Sequence, residues 1–190
     1  MVLTSPWASP WLDLELEAVY FAGEIDQSIA FQLVSPTRLS FVNTGRADTK
    51  GYELTLRWRP HDWVRMSASR TVTHARLDRT DCPIAGIAAS QTDGRIELGP
   101  RERFKLVGEI HYTGDIYLNS GCAALLPSRT SYDASAAVDL AKLPLPFITR
   151  FAQSLWLSVR GRNLGNVAQY DTRSFPRPGR NFAVALEGVF

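Results

Sequence analysis

Four stretches of the chain alternate apolar and polar side chains over the same length. At 12–20, Leu12, Leu14, Leu16, Ala18 and Tyr20 oppose Asp13, Glu15, Glu17 and Val19. At 104–112, Phe104, Leu106, Gly108, Ile110 and Tyr112 oppose Lys105, Val107, Glu109 and His111. At 132–140, Tyr132, Ala134, Ala136, Val138 and Leu140 oppose Asp133, Ser135, Ala137 and Asp139. At 182–190, Phe182, Val184, Leu186, Gly188 and Phe190 oppose a face of Asn181, Ala183, Ala185 and Glu187, with only Val189 out of place. A period of two is that of a β-strand. Each apolar face runs nine residues, most with an aromatic at one or both ends. A strand crossing a membrane needs ~9–11 residues between aromatic girdles, whereas a soluble sandwich strand is nearer ~5–6. The spacing therefore predicts membrane-spanning strands.

Other segments fit less cleanly. Tyr52, Leu54, Leu56 and Trp58 alternate with Glu53, Thr55, Arg57 and Arg59, and the turn at 60–62 then lies between Trp58 and Trp63, as at a membrane interface. Arg70 interrupts the apolar face of 62–76, and in 151–161 Gln153 shares a face with Phe151, Leu155, Leu157 and Val159, with Trp156 opposite. Long connections at 77–102, 115–130 and 163–179, rich in Gly, Pro, Asn, Asp and Ser, alternate with short or moderate ones at 60–62 and 141–150. Bacterial barrels have this asymmetry, with short periplasmic turns and long extracellular loops. Alternating directions then need a further strand between 76 and 103, placed at Ile84–Thr92 ahead of the turn-like "TDGR", for a total of eight. The expected fold is all-β, an antiparallel transmembrane β-barrel over 11–190, after a disordered or truncated start at 1–10.

Charge narrows the partners. With 21 basic and 19 acidic residues, the chain is too near neutral for nucleic acid to be its partner. No run approaches the ~18–20 apolar residues of a transmembrane helix, and "MVLTSPWASPW" has neither the basic start nor the apolar core of a secretory signal. Only a closed barrel satisfies backbone groups in lipid without helices. Two cysteines, Cys82 and Cys122, are too few for a zinc site; they are paired in an oxidising compartment and free in a reducing one. The barrel topology places both in external loops, which favours the pair.

Three quoted stretches together resemble the C-terminal part of a TonB-dependent outer-membrane receptor. "FVNTGRADTKGYELTLRWRP" at 41–60, with Asn43, Gly45, Gly51 and Glu53, resembles a segment in which Asn leads to Gly, an aromatic, Glu and a strand ending at Pro. "VRGRNLGNVAQY" at 159–170 resembles the penultimate strand, with Asn163 and Leu164 opening the last external loop. "FPRPGRNFAVALEGVF" at 175–190, with Pro178, Gly179 and Arg180, resembles the terminal strand. The resemblance implies about eight C-terminal strands of a 22-stranded barrel that takes up an iron-siderophore, cobalamin or a carbohydrate. It implies outer-membrane lipid and lipopolysaccharide as surroundings, and the barrel-assembly machinery as reader of Phe182, Val184, Leu186 and Phe190. TonB would act only through a plug domain that this chain lacks, so the chain alone is expected not to transport. The rival is a self-contained eight-stranded structural or adhesive barrel.

Enzyme chemistry finds little support, and no cofactor is implied. Asp13, Glu15, Glu17, Glu53, Arg57, Arg59, Lys105, Glu109, Asp133, Asp139 and Arg160 fall where side chains line a wet lumen. His61, His74 and His111 fall at three separate places, which disfavours a shared metal site, and no "GxSxG" elbow or phosphate-cradling glycine loop is present. A ligand would meet the long loops, where Arg76, Arg79, Arg95, Arg101, Arg129, Arg173, Arg177 and Arg180 lie in or beside them. These suit an anionic ligand or lipopolysaccharide phosphates, against a background of ordinary solvation.

Overall fold

The computed structural model describes residues 2–4, 13–35, 38–77, 82–100, 102–119, 122, 124–144, 152–172 and 175–189. Its strands in chain order are β1 (Val2–Thr4), β2 (Asp13–Ser35), β3 (Arg38–His61), β4 (Val64–Leu77), β5 (Ser90–Leu98), β6 (Phe104–Thr113), β7 (Ile116–Tyr117), β8 (Leu125–Leu126), β9 (Arg129–Asp139), β10 (Ser154–Arg162), β11 (Tyr170–Thr172), β12 (Phe175–Pro176) and β13 (Asn181–Val189). Nine form one sheet in the order β1-β2-β3-β4-β5-β6-β9-β10-β13, and each neighbouring pair is antiparallel. The eight expected strands are β2 to β6, β9, β10 and β13. Among the described residues the sheet is open: β13 pairs only with β10, and no closed barrel forms.

Register turns the alternation into two faces. Glu15, Arg57, Ser67, Arg95, Glu109 and Asp133 are successive cross-strand partners over six strands. One residue along, Leu16, Leu56, Ala68, Gly94, Ile110 and Tyr132 are partners in the same way. Among the described residues neither face carries a second layer, and no side chain is fully buried. Leu16, Leu56, Ile96, Leu106, Ile110, Val159 and Leu186 all stay exposed on the apolar face. The chain exposes 13345 Å², where a compact soluble protein of 21.2 kDa would expose roughly 9,000 Å². A soluble sandwich would bury such a face against a second sheet; here it needs an apolar solvent instead.

Aromatics mark both edges of the band. Tyr20 and Tyr52 are direct partners, Tyr132 pairs with Ile110 and Phe182 with Gly161 towards one end, while Trp58 and Phe104 lie towards the other. Phe104 and Tyr112 bound the apolar face of β6, a separation of ~27 Å along an extended strand, or ~21 Å once tilted like a barrel strand.

The strand between β4 and β6 differs from expectation. It runs Ser90–Leu98, not Ile84–Thr92, and "TDGR" lies within it rather than in a turn. Gln91, Asp93, Arg95 and Glu97 make a wholly polar face, so the strand has the composition of a loop while keeping period two. Its glycine is a packing device: a Cβ on Gly94 would meet Ile110 Cγ2 at 2.8 Å. Arg95, expected in a loop, is therefore on the sheet.

Other corrections are local. Pro176, although proline has no N–H to donate, is the register partner of Tyr170 in a short hairpin. Asp139, expected in a wet lumen, is 2% exposed; its Oδ1 accepts from Ala141 N and Leu155 N at 3.0 and 2.9 Å, capping the turn at Leu140–Lys142. Val2–Thr4, inside the expected disordered start, pairs with Glu15–Glu17. Residues 5–12, with Leu12, lie outside the described residues, as do Phe151 and Phe190.

Connections alternate between two ends. Residues 36–37, 78–89, 114–128 and 163–180 join strands at the loop end, and 62–63, 99–103 and 140–153 at the turn end. Two loops are knitted together: Gly86 N donates to Tyr117 O at 2.8 Å, Ala89 N to Asp115 O at 3.2 Å, and Ala88 bridges Ile116. Cys82 and Cys122 join the same two loops as a disulfide, with Cα atoms 5.9 Å apart.

Candidate ligand-binding face

The polar face is concave, and its charges are arranged in tiers from the turn end to the loop end. Towards the turn end Glu97, only 5% exposed, is surrounded by three cations, with Arg65 at 3.5 Å, Arg95 at 3.4 Å and Lys105 at 3.3 Å. Register explains the cluster, because Arg65 is the partner of Glu97 on β4 and Arg95 lies two residues away on β5 itself. A carboxylate so deeply placed needs such partners to offset its lost hydration. On the exposed side of the sheet, Arg57 meets Glu15 at 2.8 Å and Arg59 meets Asp13 at 2.5 Å, both as register partners.

The middle tier joins β5, β6 and β9. Arg95 pairs with Glu109, and the His111 ring meets Asp93 at 2.7 Å. Glu109, His111 and Asp133 bring one ligand-type atom each within 4.8 Å of one another. His61, His74 and His111 lie on β3, β4 and β6. The carboxylates around His111 come from neighbouring strands, so only register could reveal that grouping. Asp133 is already engaged, accepting from Asn163 N at 2.8 Å.

The loop-end tier is basic. A concavity of about 1210 Å³ is lined there by Arg129, Arg160, Arg162 and Arg177, with Ala183 and Ala185 of β13 opposite. Of the loop arginines expected at a site, Arg129 and Arg177 line it and Arg95 reaches it from β5. Arg76 lines a different hollow with Arg46, Lys50 and His74. Arg79, Arg101 and Arg173 lie outside the described residues. Arg162, not singled out in the sequence, belongs to the site because it stands two residues beyond Arg160 on the same strand face.

Most residues of the three family-like stretches hold backbone in place. Asn43 Oδ1 accepts from Gly45 N at 2.8 Å, and Gly45 has a φ of 88°, which glycine adopts freely. This turn faces the register shift at Ser28 in β2. Gly51 lies beneath the Phe21 ring; a Cβ there would fall 2.1 Å from Val72 O. Glu53 stands on the polar face beside Thr55 and Arg57. Asn163, with a φ of 49°, ties the last loop through its side chain to Val167 O and Val167 N at 2.8 and 2.9 Å. Leu164 N donates to Tyr132 O at 2.8 Å. Arg180 N donates to Asn166 Oδ1 at 3.0 Å, and Asn181 Nδ2 to Gly179 O at 3.1 Å, which fixes the entry to β13 after Pro178. Phe182, Val184 and Leu186 are exposed together on the apolar face.

No protein-family model and no curated protein matches the sequence. Solved structures do match. The siderophore receptor PiuA from Acinetobacter baumannii is similar over 91% of this chain and 26% of its own, at 18% identity and a TM-score of 0.68. The copper transporter OprC is similar over 93% of this chain and 28% of its own, at 13% identity and a TM-score of 0.71. The ferripyoverdine receptor of the outer membrane of Pseudomonas aeruginosa is similar over 89% of this chain and 24% of its own, at 15% identity and a TM-score of 0.62. The chain thus spans about a quarter of the length of the structures it matches. At these identities the likeness is one of fold: the sheet is similar to one part of the β-barrel of these receptor and transporter structures, which are TonB-dependent receptors.

Proposed function

We propose that residues 11–190 form C-terminal barrel wall of a TonB-dependent receptor that takes up a scarce ligand across the outer membrane, an iron-siderophore, cobalamin or a carbohydrate. The observation that carries this is the two-faced sheet. An exposed apolar band bounded by aromatics lies one residue out of phase with a concave, charged surface. The apolar side faces lipid, and the polar side faces the lumen through which the ligand passes. Lys50 emerges on the outward side beyond Tyr52 towards the loop end, where lipopolysaccharide phosphates would meet it. The barrel-assembly machinery reads the outward residues of β13. TonB acts through a plug that these residues do not supply, so the wall alone does not transport.

The test is the behaviour of the 190-residue chain in lipid. We expect it to enter dodecyl maltoside micelles or vesicles with its strand content intact, to be protected there from protease across the apolar band, and to aggregate in buffer alone because its long strands offer unpaired edges. A soluble, monomeric, well-packed chain without detergent overturns the proposal. The self-contained eight-stranded barrel predicts a closed monomer whose gel mobility changes on heating, with no further strands required.

A further inference from the structure

The loop-end tier of the concave face holds more positive charge than its neighbours neutralise. Six cationic side chains and three carboxylates line the concavity as a whole, and of those cations Arg95 and Lys105 are also paired with Glu97 towards the turn end. All three carboxylates are engaged: Glu109 by Arg95, Asp93 by His111 and Asp133 by the Asn163 N–H. Arg129, Arg160 and Arg162 make no ion pair or side-chain hydrogen bond among the described residues. This contrasts with the turn end, where every cation named above has a carboxylate. Guanidinium groups left together without an anion repel one another, and their planar forks match carboxylate oxygens two at a time.

We infer that this end of the face binds a polycarboxylate anion, and that Arg129, Arg160 and Arg162 are its primary contacts; the inference rests on the receptor reading above and selects among its ligand classes. Arg160 and Arg162 lie on one side of one strand, so their roots stand ~7 Å apart. That separation suits a ligand with several carboxylates better than a single small anion. Opposite Arg160 the register partner on β13 is Ala183, whose small side chain leaves the guanidinium room to reach into the cavity. The platform is held in place, since Asn163 is bonded at both its backbone N–H and its side chain immediately after Arg162. An uncharged ligand would leave these three cations without compensation.

Calorimetric titration of the whole chain, folded in dodecyl maltoside, tests this with ferric citrate as the polycarboxylate probe and cyanocobalamin and maltotriose as the other two classes. We expect ferric citrate to bind, to weaken as sodium chloride is raised, and to lose on the order of 10-fold per guanidinium in Arg129→Gln, Arg160→Gln and Arg162→Gln. The corresponding Lys variants should recover part of the loss, and strand content by circular dichroism should match the parent in every variant. A folded chain that prefers cyanocobalamin or maltotriose, ignores all three probes, or binds ferric citrate within 2-fold after all three Gln changes overturns the anion site while leaving the receptor reading standing. A chain that will not enter detergent or lipid removes the receptor reading and the anion site with it.

Discussion

Two rows of side chains, one residue out of phase, face different solvents. Leu16, Leu56, Ala68, Gly94, Ile110 and Tyr132 present hydrocarbon and a ring across six strands; Glu15, Arg57, Ser67, Arg95, Glu109 and Asp133 present charges and a hydroxyl across the same six. The first row makes no layered contact and stays exposed, while the second is laced by ion pairs at Arg57–Glu15 and Arg95–Glu109. The difference teaches that this sheet is stabilised by backbone pairing and by what bathes each face, with almost no internal core. It also sets what each face tolerates.

The strongest way to break the comparison is to place charge on the wrong side. Leu106→Arg, on the outward face of β6, should destabilise the chain in lipid by ~2–4 kcal/mol, whereas Thr55→Arg on the concave face should stay within ~0.5 kcal/mol. Urea titration in phosphatidylcholine vesicles measures both, and equal effects would dissolve the distinction between the faces.

Within the concave face, burial separates one carboxylate from another. Glu97→Gln strands Arg65 and Lys105 around a neutral amide and leaves Arg95 with Glu109 alone, and should cost ~2–3 kcal/mol. Glu15→Gln removes the partner of Arg57 at a site where both side chains are more than 40% exposed and should cost under ~1 kcal/mol. The same titration compares them.

Glycine offers a smaller contrast. Gly51→Ala drives a methyl into Val72 O and the Phe21 ring, and should cost ~1–3 kcal/mol through displaced backbone. Gly23→Ala meets nothing within 4 Å and should change stability by no more than ~0.5 kcal/mol. Thermal unfolding in detergent would rank the two, and a tolerated Gly51→Ala would mean that the β4 backbone at Val72 gives way as well as Phe21.

Much of the wall was legible because alternation is a local property. Residues such as Phe104 to Tyr112 declare their faces without reference to any neighbour. β5 was misplaced because its polar face is unbroken and its outward face begins Thr92, Gly94, so nothing greasy announces it until Ile96. The candidate site was legible only in part. Arg129 and Arg177 drew notice as loop cations, but Arg162 did not, and Arg95 was assigned to a loop that is a strand. Likewise three histidines separated in sequence argue against one histidine site, yet give no hint that β6 carries His111 between carboxylates of β5 and β9.

The sequence by itself determined which side chains share a face, how long each apolar face is, and which connections are long, since all follow from period two and turn chemistry along a short stretch. Only the tertiary structure decided which strands neighbour one another, that Cys82 lies beside Cys122, that Glu97 sits under three cations, and that three arginines at the loop end have no ion-pair partner among the described residues. Those facts depend on register, and register is a relation between strands far apart in the chain: sliding one strand by two residues keeps every face intact and changes every charged pair.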